Sequence, residues 1–146
     1  MMFLDEVLSA GAIPVLESTL RFAGARQNII NHNIANLETP NFIPLDVSTT
    51  GFQKALGDAI QRRRDANGGM MGDLDIQGRE VRSTESGDLQ LLPRTPSGNI
   101  LFHDRSNSDE IRLMQANAEN AAAYRVSGEL LRSRYQQIRD AIAERV

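Results

Sequence analysis

Cysteine and tryptophan are both missing from this 146-residue chain, and only 5% of its residues are aromatic. Without cysteine there is no disulfide, no thiolate nucleophile and no thiolate-ligated metal. With so few rings, the apolar content is mostly Leu, Ile, Val and Ala, which suits helix–helix seams better than a thick globular centre. The two signs of charge nearly balance, with 16 basic against 19 acidic residues and a net charge of −3, so no global field favours nucleic acid or anionic lipid. Long apolar runs are missing too, and nothing approaches the ~18–20 residues needed to cross a bilayer. Phe3-Leu4 is followed at once by Asp5 and Glu6, no basic residue precedes Arg21, and Gly11 and Pro14 interrupt the uncharged run. A cleaved secretory signal is therefore not expected, and any export would use another route.

The usual marks of chemistry are equally sparse. His32 and His103 are the only histidines, and neither stands in a metal-ligand spacing. His32 falls off the apolar stripe described below, which makes it a solvated or interface residue. No P-loop, G-x-G-x-x-G or G-x-S-x-G motif is present. Asp73-Leu-Asp75-Ile-Gln77-Gly78 resembles the start of a calcium loop, but Thr84 stands where the bidentate Glu is due, so an Asx-rich loop is expected. Arg62-Arg63-Arg64 lacks an aromatic platform for nucleic acid and is read as a basic cluster complementing a helix C-terminus. No catalytic residue, cofactor, metal, small-molecule substrate or nucleic-acid partner is expected.

What the chain does have is helical periodicity at both ends. Ile13, Leu16, Leu20, Ala23, Gln27, Ile30, Ile34 and Leu37 step by three and four, with Gln27 the one polar break. Pro14 fits a first helical turn, leaving residues 2–10 as a separate short helix or arm. Pro40 bars its predecessor from the helical region, so the helix ends near Glu38. The C-terminal stripe is Met114, Asn117, Ala121, Tyr124, Gly128, Leu131, Tyr135, Ile138 and Ile142, on a helix from Ser108 to Glu144 that would be about 55 Å long. Ser106 to Asp109 offers its N-cap. Gly128 on that seam would let a neighbouring backbone come close. Arg125, Arg132 and Arg139 flank the seam at heptad spacing, either as partner-selecting charges or as a solvated row.

The middle differs. Eight of the eleven glycines lie between Gly51 and Gly98. One short helix stands out, with Thr50 to Gln53 as its capping box and Phe52, Ala55, Leu56, Ala59 and Ile60 as one face. Asn67-Gly68-Gly69 ends it, and short extended pieces are expected around Asp88–Leu92 and Ile100–Phe102.

Both long helices carry second apolar rows: Val15, Phe22 and Ile29 on the first, Ala123, Val126 and Leu130 on the second. A two-helix hairpin buries one stripe per helix, so these rows would face water in a single chain. Either a three- or four-helix globule covers them, or other subunits do. The sequence favours the second. The expected fold is mainly α: residues 1–42 and 107–146 pair as an antiparallel coiled-coil-like core, and 43–106 form an irregular, loop-rich insert.

The end of the first helix reads Ala35-Asn36-Leu37-Glu38-Thr39-Pro40-Asn41-Phe42. It resembles the A-N-x-x-T-P-G-[YF] signature of the axial proteins of the bacterial flagellum, the rod, hook and hook-associated family. Asn41 replaces the usual Gly, and Asn is the next-best residue for a left-handed backbone. The preceding Arg26 to Ile34 is similar to this family's helix. Ser97-Gly98-Asn99, Asp104-Arg105, Ala118-Glu119-Asn120, Tyr124, Leu130-Leu131 and Tyr135 look most like the proximal rod class. That class usually carries more acidic residues where His103 and Ser106 stand here. The likeness covers about residues 15–45 and 97–142.

The resemblance implies a structural subunit of the rod, the drive shaft crossing the periplasm, exported by the flagellar type III apparatus without a cleaved signal. Its terminal helices would pack with copies of itself and with other rod proteins into a tube, meeting adaptor and export-gate proteins at the base. The assembly interface would then use the seam residues together with Phe22, Ile29, Val126 and Leu130. Phe42 and Ile43 would dock against the helical pair once the Thr39-Pro40-Asn41 turn has redirected the chain. A coiled-coil adaptor or chaperone of another secretion system would explain the helices but not the Ala35–Phe42 signature. A small enzyme would need a polar constellation that the sequence lacks.

Overall fold

A computed structural model describes residues 11–69, 72–96 and 108–144. The expected arm at 2–10, the extended piece at Ile100–Phe102, the Ser106 cap, His103 and the 97–105 part of the family likeness lie outside them. The described chain is mainly α. It runs α1 (Ala12–Ala35), α2 (Thr49–Asn67), a hairpin of β1 (Val81–Ser83) and β2 (Leu89–Leu91), and α3 (Ser108–Ala143).

Each boundary has a local cause. Pro14 sits in the first turn of α1, where its missing N–H leaves no bond unmade. At the other end the Asn36 N–H bonds to both His32 O and Asn33 O, and Thr39-Pro40 follows. α2 begins two residues before the expected box: Ser48 is its N-cap, accepting from Gly51 N at 3.0 Å. Gln53 is not the box partner. Instead Glu80, from a distant segment, accepts the Ser48 N–H at 2.7 Å. Gly68 closes α2 in the left-handed region, with φ 68° and its N–H on Arg64 O. The strands pair antiparallel, Val81 with Leu91 and Ser83 with Leu89, so β2 falls on the expected extended piece. β1 carries no such signal, since three residues are too few to display a period.

The core joins α1 to the middle of the chain. Phe22 stacks on Phe52 of α2 with ring centroids 4.0 Å apart and planes within 1°. Val47, Ala55, Leu56, Ala59, Ile76 and Val81 complete the buried cluster, and Val15 and Ile29 pack on its edge. This corrects one expectation: the row Val15, Phe22 and Ile29 does not face water in the single chain, because α2 and the hairpin cover it. The short helix expected in the middle of the chain runs 19 residues, and the hairpin follows it. Sequence reading weighed only the short helix as a cover and missed Val47, Ile76 and Val81, isolated apolar residues without a periodic pattern.

α3 lies along α1. The Tyr135 hydroxyl donates to Glu17 Oε1 at 2.9 Å, Gly128 sits beside Leu20, Tyr124 beside Gly24, and Asn120 Nδ2 donates to Ala23 O at 2.8 Å. The partner numbers fall along α3 as they rise along α1.

Candidate functional site

The signature residues build a defined turn. The Phe42 N–H bonds to Thr39 O at 3.2 Å, closing a four-residue turn with Pro40 at its second position and Asn41 at its third. Asn41 has φ 60°, and it is the only non-glycine residue with positive φ among those described. Proline second and a left-handed residue third is the signature of a type II turn. Asn36 anchors the turn to the helix, its Nδ2 donating to His32 O at 2.9 Å and its Oδ1 accepting from Thr39 Oγ1 at 3.2 Å. Phe42 is half-buried and meets His32 edge-on, centroids 5.6 Å apart. Ile43 is 60% exposed, which corrects the expectation that it docks; Val47, four residues on, takes the buried place. Ala35 is exposed at the end of α1.

Below the turn, two polar clasps hold the returning chain on α1. Arg26 grips Asp46 with both ends of its fork, Nε to Oδ1 at 2.9 Å and Nη2 to Oδ2 at 2.7 Å. Arg26 is buried, so this pair is shielded from water on one side. Asn33, one heptad further, donates to Leu45 O and accepts from Leu45 N, at 2.6 and 3.2 Å. Asp46 also forms a two-way backbone bridge with Arg94, which draws the chain beyond the hairpin to the same place. Sequence reading passed over Arg26, Asn33 and Asp46. Their signal was the seven-residue spacing of Arg26 and Asn33 on a face shared with Ile30.

The α1–α3 seam is more polar than its stripes suggest. Gln27, the one break in the α1 stripe, is the hub: its Nε2 donates to Asn117 Oδ1 at 2.7 Å, and its Oε1 accepts from Asn120 Nδ2 at 2.9 Å. Asn120 and Ser127 are the two fully buried side chains of α3 among those described. Of the expected seam, Ile30 is buried, whereas Leu16, Leu20, Ile34, Ala121, Gly128, Leu131 and Ile138 are half-buried. Leu37, Met114, Tyr124, Tyr135 and Ile142 are exposed, as are Val126 and Leu130 at 55% and 50%. The inner face of α3 is thus turned from the expected stripe toward Asn120 and Ser127, small polar residues that a hydrophobic pattern does not register. Gly128 is not a steric necessity either: an added Cβ would meet Leu20 Cδ1 at 3.7 Å, an ordinary contact.

An open cleft of about 350 Å³ lies between α1, α2 and α3, with Phe22, Phe52 and Leu56 on its apolar side and Arg26, Glu119 and Asn120 on its polar side. No pair of its side chains is arranged as acid and base or nucleophile and base. Among the described residues no group of three or more His, Asp or Glu could hold a metal ion, and no helix is long and apolar enough to cross a membrane. Tyr135 has its pKa raised, first by its hydrogen bond to Glu17, then by desolvation and the Glu17 charge.

Comparison with protein-family models, curated proteins and solved structures returned no match.

Proposed function

We propose that this chain is a structural subunit of the bacterial flagellar basal-body rod, at its membrane-proximal end. The observation that carries the reading is the Thr39–Phe42 turn. The flagellar axial signature ends in T-P-G-[YF], and a type II turn explains each position. Proline pre-sets the second residue, glycine accepts the positive φ of the third, and the aromatic ring leaves on the helix side. Asn41 takes that third place here with φ 60°, so the departure from the signature keeps its backbone.

In this reading the terminal helices, 1–42 with 107–146, form the antiparallel coiled-coil-like core of the subunit. The opposite running of the α1–α3 contacts supports that pairing. The row Ala123, Val126 and Leu130, all exposed, would be covered by other subunits. Partners are copies of this chain, other rod proteins, and adaptor and export-gate proteins at the base. The place of work is the periplasmic rod, reached by type III export. The protein is not an enzyme, and it takes no cofactor, small-molecule substrate or nucleic acid. An adaptor of another secretion system is the alternative, and it leaves the turn unexplained.

Pro40→Ala and Phe42→Ala test the reading in the native host. Both variants should reduce rod number and motility while leaving the helix content of the purified protein nearly unchanged. Normal rods and normal swimming in both would overturn it.

A further inference from the structure

Of the ten asparagines in this chain, only Asn67 is followed by glycine. That pair is chemically distinct. The backbone nitrogen after an asparagine can attack its side-chain carbonyl carbon, and glycine, with no Cβ, hinders the attack least. Asn67 is exposed and is the last residue of α2, so the end of that helix decides whether the attack occurs.

Three features oppose it. Asn67 belongs to the helix, where ψ is about −42°, and ring closure needs ψ turned far from that value. The Gly68 N–H, which carries the nucleophile, is held by Arg64 O at 2.9 Å. Gly72 stands against the side-chain amide: a Cβ there would lie 2.6 Å from Asn67 Nδ2. All three are lost when the last turn frays, and the site is placed for fraying. It lies beyond Ala59, the last residue that α2 gives to the buried cluster. Gly68 and Gly69 follow it, both in the left-handed region.

We propose that Asn67 is a site of spontaneous deamidation whose rate is set by opening of the α2 C-cap. In the open state the Gly68 nitrogen bonds to Asn67 Cγ, its proton passes to solvent base, and the Cγ–Nδ2 bond breaks to release ammonia. Water then opens the cyclic imide, at Cγ to give aspartate or at the backbone carbonyl to give isoaspartate. Either product places a carboxylate at the negative end of the helix dipole. Isoaspartate also adds a methylene to the backbone, which moves the Gly68 N–H off Arg64 O. The change adjoins the 2.8 Å bond from Arg62 Nη2 to Asp75 O, which ties the end of α2 to the segment before β1. Modification therefore loosens this corner and leaves the buried cluster folded. The chemistry is independent of the rod reading.

Peptide mass spectrometry on the full-length protein, aged in mildly alkaline buffer, tests it. The peptide holding Asn67 should gain the mass difference between amide and acid, and Asn67→Gln should abolish that gain. In the guanidinium-unfolded chain the conversion should be at least about tenfold faster, because the cap is absent. Ala66→Gly weakens the last turn without touching the reacting pair. It should speed conversion in the folded protein about fivefold and leave the unfolded rate unchanged. Equal rates in the folded and unfolded chains, or no response to Ala66→Gly, would overturn the proposal. So would faster conversion at any other asparagine of the unfolded chain.

Discussion

Single residues fix how the chain leaves α1 and how it is held on its return. At position 41 the left-handed backbone costs a β-branched side chain roughly 1–2 kcal/mol relative to a permissive one. Asn41→Val should lower stability by about that amount, and Asn41→Gly should not, as checked by urea unfolding followed by circular dichroism. Arg26 acts through charge. Truncating it strands the Asp46 carboxylate, whose side chain is 28% exposed and so only partly open to compensating water. Arg26→Ala should therefore cost about 2–3 kcal/mol in the same measurement, more than an exposed ion pair such as Arg21–Asp88 would. The first of these positions was legible in the sequence, since a motif places a positive φ at Asn41. The second was not, because an arginine inside a helix reads as solvated until the partner twenty residues away folds onto it.

Elements divide by how they signal themselves. α1 and α3 were legible to within a few residues, since a period of three and four repeated over many turns leaves little ambiguity. The faces they present were less so. α1 turns its Phe22 row to α2 rather than to water, and Phe52 is where this can be checked: Phe52→Ala should cost about 3–5 kcal/mol and should destabilise the Phe22 region of α1 together with α2. A loss confined to α2 would mean that the stacked pair does not join the two elements. α3 presents small and polar residues inward, so its hydrophobic stripe pointed slightly aside. Because an added methyl at position 128 meets only ordinary contact, Gly128→Ala should stabilise the helix by up to about 1 kcal/mol. A destabilised variant would show that α1 and α3 approach more closely than described. β1 and the residues before it gave no signal at all. Their apolar members, Ile76 and Val81, are recruited singly by the helix above them.

At the scale of the whole molecule, the chain combines a self-contained core in its first two thirds with a long helix that contributes nothing to that core and leaves Val126 and Leu130 uncovered. In the proposed rod reading, a neighbouring subunit would cover that row. The sequence conveyed this imbalance through its surplus apolar rows. It mis-stated which helix keeps its surplus once the chain folds, because only folding places α2 over α1. The most direct measurement is an electron cryomicroscopy map of the native flagellar basal body. Density for this chain should appear in the proximal rod, with the Ala123, Val126 and Leu130 row of α3 against a neighbouring subunit. A rod built entirely of other proteins would contradict the account.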